Sequence, residues 1–228
     1  MKRSIDINEV SDGKLYEVND MVKAGCDGCK NCHACCEDMG GSIVLDPLDI
    51  FNMTKKLSVT FEQLLAEHIE LGVVDGIILP NIKMSGSSDK CRFLNEEGRC
   101  SIHDARPGIC RLFPLGRIYE DRSFKYFLQV HECPKENKSK VKIKNWLGIE
   151  NISAYEKFVN RWHYLLVDLQ EKVLKEADEQ TSKNVSMYIL QNFYMAKYSE
   201  EIDIYEQLNT RLDTAMKIFA IKLLVRRI

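Results

Sequence analysis

Five cysteines fall within eleven residues near the start of the chain, and this stretch restricts the possible folds more than any other feature of the sequence. They are Cys26, Cys29, Cys32, Cys35 and Cys36. Packing in a core strand or helix gives no reason to place five small polarizable groups in this way. Thiolates gathered on a tight loop, by contrast, are suited to zinc, Cu(I) or iron–sulfur clusters. The stretch therefore predicts a metal centre.

The total of nine cysteines must be interpreted together with the compartment that we expect for the chain. The segment Met1–Asp6 turns polar at once and lacks the apolar stretch of a signal peptide. No segment approaches the roughly 18 consecutive apolar residues of a transmembrane helix. We therefore expect a cytoplasmic protein, in which clustered cysteines bind metal or do redox chemistry more often than they form disulfides. The odd number also argues against complete disulfide pairing within one chain.

Charge and composition narrow the class of partner. A net charge of −2 and an isoelectric point of about 6.2 provide no basic surface for nucleic acid or for an anionic membrane. The content of 45% hydrophobic and 29% charged residues is sufficient for a globular core. We expect as partner a protein or peptide substrate, or a redox protein, and no nucleic acid or membrane.

The first five cysteines fit two different ligand spacings. The set Cys26, Cys29, Cys32 and Cys36 has the spacing C-x2-C-x2-C-x3-C of bacterial ferredoxins, in which a loop wraps a cubane cluster. Glu37 stands where those proteins have proline. The alternative set Cys29, Cys32, Cys35 and Cys36 reads C-x2-C-x2-C-C. Because adjacent side chains diverge, Cys35 and Cys36 would serve two centres, or one would be a ligand and the other its neighbour.

A second set of four cysteines is spread more widely along the chain. It consists of Cys91, Cys100, Cys110 and Cys133. Such loose spacing is, by itself, weak evidence for a metal site. The residues around Cys110 strengthen it, because Pro107, Gly108 and Pro114 fix a rigid turn there, which suits a metal ligand more than a strand.

Together the two sets resemble the YkgJ-type cysteine-cluster family. The resemblance is carried by Cys29-x2-Cys32-x2-Cys35-Cys36, Cys91, Cys100-x-Ile102 and Arg106-Pro107-x2-Cys110-Arg111-x-Phe113-Pro114. That family is described as a zinc- or iron-chelating domain and is similar to a domain of flagellin lysine N-methylases. The resemblance covers about residues 24–135 and does not include the C-terminal helices. It implies as ligands Cys29, Cys32, Cys35, Cys36, Cys91, Cys100, Cys110 and Cys133.

This sequence departs from the family pattern at two positions. Cys26 is additional, and His103 stands where the family leads us to expect tyrosine. Eight family-like cysteines would fill two four-thiolate sites, or one cluster and a smaller site. The ninth is either Cys26 or one of Cys35 and Cys36, and a thiol that Cys26 displaced as a ligand would be the reactive one.

The distribution of the cysteines bears on the choice of metal. Structural zinc sites usually pair two C-x2-4-C knuckles at a distance. Three consecutive C-x2-C steps in one loop are more typical of a wrapped cluster. We therefore expect one or two iron–sulfur clusters as cofactor, with 4Fe–4S favoured and zinc as the alternative.

Three functions are compatible with such a centre. The first is a cytoplasmic iron–sulfur protein acting in electron transfer or in redox-dependent modification. The second, implied by the resemblance, is a lysine N-methylase-like enzyme that transfers a methyl group to a protein side chain. The third is a binding module whose zinc is purely structural. No nucleophile–base pair or phosphate-binding glycine loop stands out, but this does not exclude an enzyme whose chemistry is carried by the cluster itself.

Five polar residues near the cysteines are further candidates. They are His33, His103, His131, Arg106 and Arg111. His33 suits a ligand, or a donor to sulfur, as well as it suits an exposed loop position. A packing role is favoured for His103 and a structural role for His131. The two arginines would either hold an anion or tie the proline-rich loop to backbone carbonyls, and the second role is favoured.

The pattern of elements predicts an α+β fold with an irregular cysteine-ligated core and an α-helical C-terminal half. We place a cysteine-cluster metal-binding domain at residues 1–145 and a helical region at 146–228. In the first domain the sequence predicts a helical face through Val18 and Val22, helices near 47–56 and 61–71, strands at 42–45, 76–84 and 123–130, and a surface linker over 135–144. Apolar stripes at helical spacing, beginning at Phe158, Tyr188 and Tyr205, predict a bundle in the second.

Overall fold

The computed structural model describes residues 6–26, 32–85 and 89–221. These residues form two compact units. The cysteine unit comprises residues 6–72 and 80–152, and the helical unit comprises residues 73–79 and 153–221. Helices and short antiparallel strands are mixed, which confirms the predicted α+β class. The domain boundary after residue 145 stays a prediction.

The cysteine unit begins with a short helix, α1 (Ile7–Val10), and a two-stranded antiparallel ribbon. In the ribbon, β1 (Met21–Gly25) pairs with β8 (Ser139–Lys142). Val22 and Ala24 are buried and alternate with exposed residues, as expected for a strand with one face on a core. The helical face predicted through Val18 and Val22 is therefore wrong, and so is the linker predicted over 135–144.

A second ribbon carries part of an apolar core cluster of this unit. Strand β6 (Leu115–Glu120) pairs with β7 (Ser123–Leu128) around the turn residues Asp121 and Arg122, which both have positive φ as a tight hairpin requires. The core cluster comprises Val22, Ala24, Leu112, Leu115, Tyr126, Leu128, Ile143 and Leu147. Two short helices, α4 (Gly108–Leu112) and α5 (Ile143–Leu147), end in this cluster. The strand predicted at 123–130 is confirmed as β7.

Two helices follow from capping signals in the sequence. Helix α2 (Pro47–Leu57) and helix α3 (Phe61–Glu67) each begin with a capping box, at Asp46 and Thr60. Helix α3 ends four residues earlier than predicted, because strand β2 (Ile69–Val74) begins there. It pairs with β3 (Ile77–Ile82) across the positive-φ pair Asp75–Gly76.

The strand predicted at 42–45 forms only one bridge, between Val44 and Asn81. It is preceded by a 3₁₀ turn at Gly40–Ser42. A further short antiparallel pair, β4 (Met84–Ser85) with β5 (Lys90–Cys91), completes the strands of the unit. Much of the chain around the cysteines of the described ranges is thus built from turns and two-residue strands.

The helical unit contains the three predicted stripes as three long helices. They are α6 (Ile152–Glu176), α7 (Glu179–Ile189), which continues as a π-helix over Leu190–Met195, and α8 (Ile204–Ile218). Trp162 packs against Phe193 and Tyr194 in its core. The hairpin tip 73–79 is held by this unit, since Ile78 N donates to Ser186 Oγ at 3.0 Å and Ser182 Oγ donates to Gly76 O at 2.6 Å. Within the described ranges, no helix has the length and apolar character needed to cross a membrane.

Candidate metal centre

Six of the nine cysteines line a single cavity of about 90 Å³ in the cysteine unit. They are Cys32, Cys35, Cys36, Cys91, Cys100 and Cys110. Three belong to the first set and three to the second, and Cys36 and Cys91 are about 55 positions apart in the sequence. The fold therefore brings both predicted sets to one place.

The first set is carried on a short turn that is fastened to the second. Cys35 and Cys36 lie in a 3₁₀ turn, Ala34–Cys36, closed by a bond from Cys36 N to His33 O at 2.7 Å. The residues that follow this turn bind the strand that leads to Cys91. Asp38 N donates to Asp89 O at 3.1 Å, and Lys90 Nζ lies 3.2 Å from Glu37 Oε1. These two contacts connect the turn of the first set to the strand that carries Cys91.

Each cysteine of the second set that lines the cavity is held by a different backbone element. Cys91 ends β5 and pairs with Met84, and Cys100 bridges to Leu94. Cys110 lies on α4, two residues before the core residue Leu112. Three separate anchors therefore fix where these thiols point.

Asp49 anchors the helix that carries Cys110, a role that no sequence pattern indicates. Its side chain is only 6% exposed. Oδ1 accepts from Gly108 N at 2.7 Å, at the start of α4, and Oδ2 accepts from Asp46 N at 3.1 Å, at the start of α2. Burial raises the pKa of Asp49 well above its usual value, and the neighbouring Asp46 raises it further. One carboxyl group thus ties the beginnings of two helices together.

Replacing Asp49 by alanine should weaken metal binding as well as the fold. Gly108 N–H would remain buried without an acceptor, and together with the lost cap this should lower the free energy of unfolding by about 2–4 kcal/mol. Displacement of Cys110 should lower metal affinity by about 10–100-fold, as for other groups that orient ligands. Chelator competition and thermal unfolding would measure the two effects.

The capping box at Thr60 provides a matched control for that experiment. Thr60→Ala removes a cap of the same kind from α3, at a cost of about 0.5–2 kcal/mol, but touches no element that carries a cysteine. We expect its metal affinity to be unchanged. If Thr60→Ala lost metal as readily as Asp49→Ala, general destabilisation would explain both variants and the positioning role would be wrong.

The thiols in the cavity influence one another electrostatically. A hydrogen bond with Cys36 lowers the pKa of Cys35 to about 7, and the same bond raises the pKa of Cys36. Burial raises the pKa of Cys91, Cys100 and Cys110, and the negative charge of neighbouring thiolates raises each further. Several of these groups can be ionised together only if a cation lies among them. The cavity is therefore suited to a positively charged centre.

The flanking arginines and histidines have distinct roles. Arg111 donates to Arg106 O at 3.2 Å and to Asp104 O, which confirms that it ties the loop to backbone carbonyls. Arg106 lines the cavity and contacts His103 instead. The packing role favoured for His103 is wrong, since this residue is exposed. His33 also lines the cavity.

The other three cysteines are placed differently. Cys26 directly follows β1, and neither it nor Cys133 is among the residues that line the cavity. Cys29 lies outside the described residues. Within residues 6–26, 32–85 and 89–221, no three His, Cys, Asp or Glu side chains are already arranged to hold one ion. The ligand set as a whole stays a prediction, and the cavity thiols would have to converge when metal binds.

Comparison with protein families agrees with this chemistry. A model of the CxxCxxCC family, described as "Putative zinc- or iron-chelating domain", matches residues 28–146, which is a little over half of the 228 residues. The chain belongs to this family. No curated protein and no solved structure shows a significant match. The protein is thus a cysteine-cluster metal-binding protein, as its motifs predicted.

The donor set of this CxxCxxCC domain fits zinc or iron. Soft thiolates suit both zinc and iron–sulfur clusters, and the rest of the wall is mainly apolar. Apolar lining residues include Met39, Ile43, Ile82, Met84, Phe93, Ile102 and Phe113. Such a wall restricts the access of water to bound metal and lowers the local dielectric constant. The six lining cysteines are the residues that would hold the metal.

Proposed function

We propose that the CxxCxxCC domain holds a 4Fe–4S cluster in the cysteine cavity and that the protein acts in electron transfer or in redox-dependent modification of another protein. The observation that supports this most strongly is the number of thiols at one cavity. A 4Fe–4S cluster is held by four cysteines, so the six that line this space are sufficient for it. A structural zinc ion also takes four ligands, but the consecutive C-x2-C steps of the first set are more typical of a wrapped cluster than of two separate zinc knuckles. When bound, such a cluster would supply one-electron redox chemistry.

The size of the cavity supports a group larger than a single ion. A cavity that holds one water molecule has a volume of roughly 10–15 Å³. The cavity of about 90 Å³ is several times larger. It can therefore contain a group of several atoms, although one ion would fit as well.

The exposure of the cavity wall favours a working centre over a purely structural one. Structural zinc sites are closed by their four ligands. Here Ile109, which lines the cavity, is 41% exposed, and so is the side chain of His33. A redox protein or a peptide substrate would be able to approach the centre on this side. We propose such a molecule as the partner.

The state of the cysteines is consistent with a cytoplasmic setting. Seven cysteines in the described part of the chain are free thiols, namely Cys32, Cys35, Cys36, Cys91, Cys100, Cys110 and Cys133. In a reducing compartment they would remain available as ligands, because glutathione and thioredoxin keep thiols reduced there. We therefore propose the cytoplasm as the location of the protein.

Spectroscopy on anaerobically purified protein tests the proposed cofactor. We expect a brown protein with iron and acid-labile sulfide in equal amounts, and a broad visible absorption that dithionite bleaches. Electron paramagnetic resonance of the reduced sample and Mössbauer spectra should identify the cluster type. A colourless protein that contains stoichiometric zinc and no sulfide, both as purified and after anaerobic reconstitution, would contradict the proposal and favour structural zinc.

A further inference from the structure

Arg106 differs from the other arginine of its loop in how its guanidinium group is used. Arg111 directs its nitrogens to backbone carbonyls. Arg106 lines the cysteine cavity, and its buried Nε has no hydrogen-bond partner among the residues that the structure describes. Buried polar groups in folded proteins are normally hydrogen-bonded. The unsatisfied Nε–H therefore indicates that a further acceptor belongs at this wall of the cavity.

The orientation of this guanidinium is fixed by His103. Arg106 Nη1 lies 2.6 Å from His103 Nε2. Because arginine has only donors, His103 Nε2 must be the acceptor, and the ring proton is then on Nδ1. This hydrogen bond lets His103 hold the guanidinium group of Arg106 in place. The tyrosine that we expected at this position would offer a hydroxyl oxygen in place of the ring nitrogen.

The acceptor is best sought among the thiols, because Arg106 shares the cavity wall with cysteines of both sets. Cys35 of the first set and Cys100 of the second line the same cavity. Thiolate sulfur accepts hydrogen bonds, and such bonds tune the metal centres that the sulfurs ligate. Within the described ranges, the residues that line the cavity include no carboxylate to compete for this donor.

We infer that Arg106 is a positioning residue of the metal centre, whose Nε–H donates a hydrogen bond to a metal-bound thiolate of Cys35 or Cys100 while His103 holds the guanidinium in place. This inference rests on the proposed cavity centre but holds for either metal. A donor to a ligating sulfur withdraws electron density from it. In an iron–sulfur centre the bond therefore raises the reduction potential, and in a zinc centre it helps to retain the ion.

Four variants separate this bond from a simple effect of charge. Arg106→Met removes donor and charge, and Arg106→Lys keeps the charge but lacks the planar Nε–H. Arg99→Gln removes a neighbouring charge from the same cavity wall. Arg111→Lys alters the loop without removing a cavity-facing donor. Near-UV circular dichroism would establish that each variant is folded.

We expect both Arg106 variants to have a lower midpoint potential than the wild type and to release metal to a chelator about 10–100-fold more readily. Arg99→Gln and Arg111→Lys should change either quantity much less, although Arg111→Lys should melt at a lower temperature. His103→Gln, which keeps an acceptor for Arg106, should resemble the wild type, whereas His103→Phe should shift the potential in the same direction as Arg106→Lys.

The same comparison remains decisive if the centre proves to contain zinc. In that case the proposed cofactor would be wrong, and chelator competition on the zinc protein would still distinguish Arg106→Met from Arg99→Gln. Folded Arg106 variants that keep wild-type metal retention and potential would overturn the inference. Equal shifts in Arg106→Met and Arg99→Gln would overturn it too, because charge alone would then suffice.

Discussion

Removal of the metal should unfold the part of the cysteine unit that surrounds the cavity and leave helices α6–α8 folded. The segments that carry the cavity thiols consist mainly of 3₁₀ turns, two-residue strands and one five-residue helix, and elements this short are not stable by themselves. Metal binding contributes on the order of 10–16 kcal/mol in zinc-finger peptides, which is comparable to the roughly 5–15 kcal/mol that stabilise a whole domain. The free energy lost with the metal should exceed the stabilisation that the backbone hydrogen bonds around the cavity provide.

The effect should be local, because the rest of the cysteine unit has its own core. Tyr126 and Leu115 on the β6–β7 ribbon pack with Ile143 and Leu147 of α5 in a cluster that contains no cysteine. We expect the backbone amides of residues 32–45 and 89–107 to lose protection from hydrogen exchange in the apo protein. Protection should persist in the β6–β7 ribbon and in α6–α8, which serve as internal references.

Hydrogen exchange followed by mass spectrometry, with and without metal, would map this change. The apo protein must be prepared with a chelator in the presence of a thiol reductant, so that disulfides do not replace the metal. Circular dichroism and thermal melts would give the extent of the change. An apo form as protected and as heat-stable as the metal-bound form would refute the coupling between metal binding and folding.

Local signals in the sequence were sufficient for the helices. Asp46–Pro47 and Thr60 with Gln63 predicted the starts of α2 and α3, and both capping boxes are present. The stripes through Phe158, Tyr188 and Tyr205 lie on helices. These features depend on residues within one or two turns of each other, so they can be recognised without knowledge of the tertiary structure.

The strands were predicted less well, because their pairing depends on distant residues. Strand β8 has a single apolar side chain, Val141, and forms only because β1 lies beside it. Strand β2 was mistaken for the end of a helix, although Asp75–Gly76 between apolar runs is a strong hairpin signal. The local pattern therefore contains no signal for β8, whereas it does contain one for the hairpin of β2 and β3.

The sequence predicted which residue type forms the site but not which of the nine thiols meet. The contacts that decide this, such as Asp38 to Asp89 and Asp49 to Gly108, join residues that are about 50–60 positions apart. No short motif encodes such a contact. Asp49 is the clearest case, since its sequence neighbours indicate only a helix start.

Substitution of Cys35 by serine should abolish tight metal binding, whereas substitution of Cys26 should leave it nearly intact. Cys35 is hydrogen-bonded to Cys36 and influences the pKa of Cys91, Cys100 and Cys110. It is therefore central among the cavity thiols. Loss of a ligand should cost more than the roughly 100-fold upper limit seen for groups that merely support ligands.

Cys26→Ser is the matched comparison, because it removes a thiol of the same first set that is not among the residues lining the cavity. Cys133→Ser tests the second set in the same way. Metal content after dialysis against a chelator, measured by mass spectrometry and normalised to folded protein, would rank the variants. Equal loss from Cys35→Ser and Cys26→Ser would contradict the assignment of the cavity thiols as the ligands. The metal would then have to draw on Cys26 as well.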